Sequence, residues 1–209
     1  MNSDTKGSRS KGAATQQRMV ESMLELVQVH GYAGSGLNTV LAHSGAPKGS
    51  LYFHFPEGKE QLGERAVGLA AERFETLITD AFTTADPQAG AGSVVESVVE
   101  VLCRMLTESD FSVGCPVSVV ALEMGVESER LRRACERAYE SWIVPVADFL
   151  VTRGHGEAAA RATASSVISL VEGAMIVARA RRDVQPMRDA ARTLRTLLDL
   201  PPVTTEAGR

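Results

Sequence analysis

An all-α chain of about nine helices is predicted, with a three-helix N-terminal domain followed by a helical bundle. Three observations predict it. Aromatic residues make up 5% of the 209 residues and β-branched runs are few and short, which leaves little material for sheets. Ala, Leu, Glu and Arg recur throughout, and all four favour helix. Apolar residues return at three- and four-residue spacing between short breaks rich in Gly, Pro and Ser.

Residues 1–14, rich in Ser, Gly and Lys, read as a flexible basic arm. Thr15 can cap a helix to about His30 that Gly31 ends; its apolar face is Val20, Met23, Leu24 and Val27. Leu37 to His43 is a short helix with Leu37, Val40 and Leu41 inward. After the tight turn Ser44-Gly45-Ala46, Pro47 suits the first turn of a helix running to about Phe53. Phe53 and Phe55 are expected as core plugs, and Pro56-Glu57-Gly58 is a second break. Long helices follow over about 59–82, 93–109, 117–124, 128–152, 157–182 and 186–200, and Pro201-Pro202 stops the last before a frayed tail over 201–209. The domains expected are residues 15–58 and 59–200.

The net charge is −4, so the whole molecule is no basic nucleic-acid binder. Its distribution differs. Residues 1–60 hold six cations against five anions, the rest sixteen arginines against twenty-one acids, and all four lysines lie within the first 59 residues. Locally placed cations matter more to DNA than net charge. Cys103, Cys115 and Cys135 show neither close pairing nor metal-ligand spacing, and read as small apolar residues of a reduced protein. The polar opening carries no signal-peptide core, and no apolar run approaches the roughly 20 residues of a membrane span. A cytoplasmic protein without metal or cofactor is expected.

The segment Gly36 to Phe55, GLNTVLAHSGAPKGSLYFHF, carries the functional signal. Two short helices joined by a three-residue turn containing Gly form a helix-turn-helix. The second would enter the major groove while the first crosses the backbone. Lys48, Gly49 and Ser50 stand at the end that approaches bases. Lys48 can donate to guanine or to phosphate, and Gly49 lets the backbone come close. Tyr52 and His54 offer polar tips to phosphate oxygens.

Gly31-Tyr32, Val40, Ser44-Gly45-Ala46, Lys48 through Phe55, and Lys59 together resemble the DNA-binding domain of the TetR family of repressors. SGAPKGSLYFHFPEGKEQL, with GCPVSVVALE at 114–123, is similar to its LmrA/YxaF branch. The resemblance implies that Lys48, Gly49 and Ser50 approach bases while Tyr52, His54 and Lys59 hold phosphates. Three departures stand out. Pro56–Gly58 puts three residues before Lys59 where many relatives have two. Gly36 stands where Ser or Thr often caps the second helix, and Asn38 where Arg is frequent. Further phosphate contacts are then expected from Ser35, Asn38 and Thr39.

Nothing downstream looks catalytic, having no nucleophile elbow, phosphate loop or dinucleotide fingerprint; no enzyme is expected. The helices at 157–182 and 186–200 bear apolar residues on more than one face, including Val167, Leu170, Val171, Ile176, Leu194 and Leu197. A helix apolar nearly all round must be covered twice, so a two-fold homodimer closed by these helices is expected. The family resemblance implies a small-molecule cavity in the middle helices, with Leu102, Met105, Cys115, Val119, Leu122, Trp142, Val146 and Leu170 as candidate lining. Glu123 and Glu172 sit in otherwise apolar stretches and need partners, either an arginine such as Arg179 or a cationic or hydroxylated effector. Cys115 reads as a packed thiol rather than an oxidant sensor.

The expected function is a dimeric repressor of a palindromic double-stranded operator, released by an effector. Three alternatives stay open: a ligand-dependent activator or co-repressor-dependent regulator, an enzyme hidden in the helical part, and an architectural DNA binder without ligand. A core lacking a cavity of about 300 Å³ disfavours small-molecule control.

Overall fold

The computed structural model describes residues 4–86 and 88–199, and side chains from Gly12 onward. The described residues form nine α-helices: α1 (Asp4–Gly34), α2 (Leu37–Ser44), α3 (Leu51–His54), α4 (Lys59–Thr84), α5 (Ala91–Glu108), α6 (Pro116–Met124), α7 (Glu129–Thr152), α8 (Glu157–Arg181) and α9 (Gln185–Leu198). A 3-10 turn over Lys48–Ser50 leads into α3. Helix begins at Asp4, so the arm expected over 1–14 is helical from there on. Each glycine costs about 1 kcal/mol of helix propensity without forbidding helix. The tail expected over 201–209 lies outside the described residues.

The chain divides into two compact units. The first comprises residues up to Arg73 together with Cys115–Ala138, the second Phe74–Gly114 together with Tyr139 onward. The division is not the linear boundary expected at residue 58: α6 folds back onto α1 and carries the start of α7 with it.

In the first unit, Val20, Met23, Leu24 and Val27 are buried as their spacing predicts, and Met19 joins them. Gly31 breaks α1 with φ 75°, ψ 168°, a conformation nearly reserved for glycine. Gly45 ends α2 in the left-handed region, φ 64°. The Arg18 guanidinium donates from Nε to the Ser44 carbonyl at 3.3 Å, meeting the free carbonyls of the α2 C-terminus.

In the second unit, α9 packs against both α5 and α8. Trp142 is buried, its ring edge-on to Phe74 (centroids 4.7 Å) and Tyr139 (5.3 Å), while Phe82 stacks flat on Phe149 at 4.3 Å. Three non-glycine residues have positive φ: Asp110 (50°), Phe111 (59°) and Arg182 (51°). Arg182 pairs with Asp110. Arg179, expected as a partner for a buried carboxylate, donates instead to the carbonyls of Phe111 (3.4 Å) and Ser112 (3.1 Å). These arginines hold the α5–α6 loop to the end of α8.

The sequence showed no apolar run long enough for a membrane. By length and composition α8 passes the test for a membrane-crossing helix, a test that the core helix of a soluble protein also passes, and 33% of its most apolar stretch is buried. It also carries Arg161, Glu172 and three serines.

Candidate DNA interface and ligand cavity

The segment from Pro47 to Phe55 is anchored by two side chains. Leu51 and Phe55 are buried, and the Phe55 amide donates to the Leu51 carbonyl at 2.7 Å. The residues between and before them are turned outward. Lys48 and Gly49 are exposed, Ser50 and His54 half-buried, and Tyr52 is 64% exposed. The Ser50 hydroxyl donates to the Pro47 carbonyl at 2.7 Å, which closes the 3-10 turn. An added Cβ at Gly49 would meet nothing within 4 Å, so a flat partner can approach the backbone there. On α2, Asn38 and Thr39 are exposed.

Three expectations are corrected. Phe53 is no core plug but 81% exposed. Phe55, fully buried, takes the inward position, and the turn leaves Phe53 outward. Ser35 is fully buried, and its hydroxyl donates to the Gly31 carbonyl at 2.6 Å. It closes the break after α1 and has no free face for a phosphate.

Lys59 is the third. Its ammonium donates to the Tyr32 carbonyl at 2.7 Å and the Ala33 carbonyl at 3.3 Å, and lies 4.4 Å from the Tyr32 ring centroid. A cation at carbonyls that end a helix is a stabilising cap, so Lys59 joins α4 to α1. Burial lowers its pKa, opposed by the nearby Glu123 carboxylate. Glu123 accepts from the Ala33 amide at 2.7 Å. It is thus no ligand contact but the tie between α6 and the end of α1, and an added Cβ at Gly31 would collide with it. The spacer is held too, because Glu57 pairs with Arg130, whose Nε also meets Glu64 at 3.1 Å.

Tyr32, 3% exposed, sets an alkaline limit on this unit. Burial, and secondarily Glu60, push its phenol up to about 12, against about 10 in an unfolded chain. A folded-state pKa raised in this way stabilises fully below about 10, and the contribution is lost as pH rises through about 12. Denaturant titrations should therefore show wild-type stability falling more steeply over that window than Tyr32→Phe, which keeps the ring and loses the ionisable proton. Parallel curves would contradict the assignment.

The second unit contains an apolar cavity of about 30 Å³. Of the candidate lining residues, Leu102, Val146 and Glu172 border it, and Glu172 is the one ionisable group on its wall. Sequence reasoning missed Phe74, Ile78, Phe82 and Val99, whose helical spacing looks the same whether a face meets core or cavity. The other candidates do not line it. Met105 and Leu170 are exposed on their helices, Leu122 is 79% exposed, Trp142 packs between Phe74 and Tyr139, and Cys115 and Val119 are half-buried in the first unit. Burial pushes the Cys103 and Cys135 thiols up, Cys135 to about 11, so neither is a ready nucleophile.

Residues 91–193 match the family model described as the transcriptional regulator LmrA/YxaF-like C-terminal domain. The HTH-type transcriptional regulator LmrA of Bacillus subtilis is 33% identical over 174 residues, 83% of this chain and 90% of the relative. The YxaF regulator of the same organism is 29% identical, over 83% and 89%. Among solved structures, a TetR transcriptional regulator from Chloroflexus aurantiacus superposes with TM-score 0.74 at 27% identity, over 90% of this chain and 95% of that one. The regulatory protein TetR from Rhodobacter sphaeroides gives 0.75 at 23%, over 86% and 96%. With its helix-turn-helix at Leu37–His54 and its LmrA/YxaF-like second unit, the chain belongs to the TetR family of DNA-binding transcriptional regulators, in the LmrA/YxaF-like branch.

Proposed function

We propose that the chain is a repressor that binds a palindromic operator as a homodimer and leaves it when a small molecule enters the helical unit. The observation that carries the DNA half is the outward display of Lys48, Gly49, Tyr52 and His54 on a turn anchored by Leu51 and Phe55. Tyr52 and His54 take phosphates, joined by Asn38 and Thr39 on α2, while Lys48 and Ser50 face bases. The dimer half rests on α8 and α9. Leu170, Gly173, Ile176, Val177 and Leu197 stay exposed on helices whose other faces are buried, and apolar helix faces of this kind call for a partner.

The effector half has one quantitative constraint. A cavity of about 30 Å³ holds a water, not a ligand that needs roughly 300 Å³ or more. This cavity by itself therefore does not support small-molecule control, and an effector bound there has to widen it on entry. Binding and conformational change are then one linked step, and operator affinity falls by roughly 5–150-fold for a typical coupling.

The test begins by selecting bound genomic fragments in vitro with the full chain. A two-fold symmetric site is expected, with half-sites one DNA turn apart, roughly 34–36 Å. Val177→Glu combined with Leu197→Glu should sediment as a folded monomer and lose operator affinity by roughly 10²–10⁴-fold, as one reading head replaces two. A variant that stays dimeric overturns the α8–α9 interface. An asymmetric selected site overturns the palindromic reading.

A further inference from the structure

We propose that Phe53 is a specificity-determining residue, reading the C5-methyl group of a thymine in the operator major groove. The inference rests on the assignment of Lys48–His54 as the DNA-reading segment. It goes further by giving the exposed apolar ring of that segment a role apart from its polar side chains.

Phe53 is the most exposed phenyl ring the structure describes, 81% open, between the half-buried His54 and the phenol-tipped Tyr52. A ring of this size exposed to water forgoes roughly 1.5–3 kcal/mol of burial, which calls for a partner that covers it. Two features bear on that partner. Phe53 stands on α3, which follows directly on the 3-10 turn that holds Gly49, and Gly49 is open to close approach. The Phe53 ring also stands edge-on to His54, centroids 4.9 Å apart and planes at 82°, an arrangement that orients the ring. Lys48 and Tyr52 are the exposed polar side chains of the same segment.

The chemistry then separates the roles. A phenyl ring has no donor and cannot hold a phosphate oxygen, whereas Tyr52 and Lys48 can. Among the base edges in the major groove, the thymine methyl is the apolar feature. A protein shown by its relatives to be a DNA-binding regulator, presenting an open phenyl ring and an unobstructed glycine on its reading segment, therefore fits a thymine at that position in each half-site.

The experiment uses the full-length protein and the operator obtained by selection. Each thymine is replaced in turn by deoxyuracil, which removes the methyl and leaves pairing intact, and affinity is measured for wild type and Phe53→Ala. For wild type, one symmetric pair of replacements should cost about 4-fold per half-site and about 15-fold together, the worth of one buried methyl in each. Phe53→Ala should bind more weakly overall and be indifferent to that same pair. The exposed position leaves its circular dichroism and Tm unchanged. If wild type tolerates deoxyuracil throughout, Phe53 lies against sugar rather than base and the proposal fails. If Phe53→Ala keeps the full methyl penalty, another residue reads the methyl and the proposal fails. Lys48→Ala measured alongside distinguishes the two levels. Loss of affinity there, with no methyl effect, overturns only the Phe53 role; undiminished affinity there overturns the assignment of the reading segment itself.

Discussion

Lys48→Ala is expected to reduce operator affinity by about 1–3 kcal/mol for each recognition helix, thus roughly 30- to 2 × 10⁴-fold for the proposed dimer with two heads. The change leaves the fold alone, because Lys48 is exposed at the start of the 3-10 turn while Leu51 and Phe55 hold the segment. The same measurement separates two roles. If Lys48 reads guanine, the variant relaxes the selected sequence at one symmetric position. If Lys48 holds phosphate, affinity falls evenly across sequences, and the slope of log affinity against log salt drops by about one for each contact. Lys59→Ala provides the contrast. Its ammonium is engaged with Tyr32 and Ala33, so its loss appears as reduced stability of the first unit. An unchanged affinity for Lys48→Ala removes Lys48 from the interface.

The contrast between these lysines shows where sequence is legible and where it is not. Helix boundaries were readable because Gly31, Gly45 and Pro47 act locally, through backbone torsions that the residue type itself decides. The buried face of α1 was readable from period alone. Lys59 and Glu123 were not, since each is defined by atoms far away in sequence: Lys59 by carbonyls 26 and 27 residues earlier, Glu123 by an amide 90 residues earlier. A lysine at a helix start reads the same whether a phosphate or a helix end awaits it. Phe53 failed for a related reason. Phe53 and Phe55 have equal hydrophobicity, and the rotation of a two-turn segment decides which is buried. The cavity residues illustrate a third limit, since α5 presents Val95, Val98, Val99 and Leu102 at the same spacing a solid core would use.

Gly92→Ala is expected to destabilise the second unit by about 2–3 kcal/mol, despite replacing a helical glycine with the best helix former. Gly92 lies buried in the first turn of α5, against α9. An added Cβ would stand 2.5 Å from the Arg195 Cα and 2.8 Å from its carbonyl oxygen. Those are backbone atoms of a packed helix and cannot swing aside, so α5 and α9 must separate. Separation also disturbs the Gly92 amide, which donates to the Asp199 carboxylate at 3.0 Å, an anion placed at a helix N-terminus where the dipole favours it. Gly68→Ala supplies the control. That glycine lies inside α4 with nothing within 4 Å of an added Cβ, so the same chemical change should stabilise by about 0.5–1 kcal/mol. Thermal unfolding should move the two variants in opposite directions, Gly92→Ala downward by roughly 4–12 °C. Because α9 also carries Leu197, Gly92→Ala should weaken the proposed dimer as well, although it lies outside the proposed interface. An upward shift for both variants contradicts the close approach of α5 and α9, and with it the placement of the α9 face proposed to meet a second protomer.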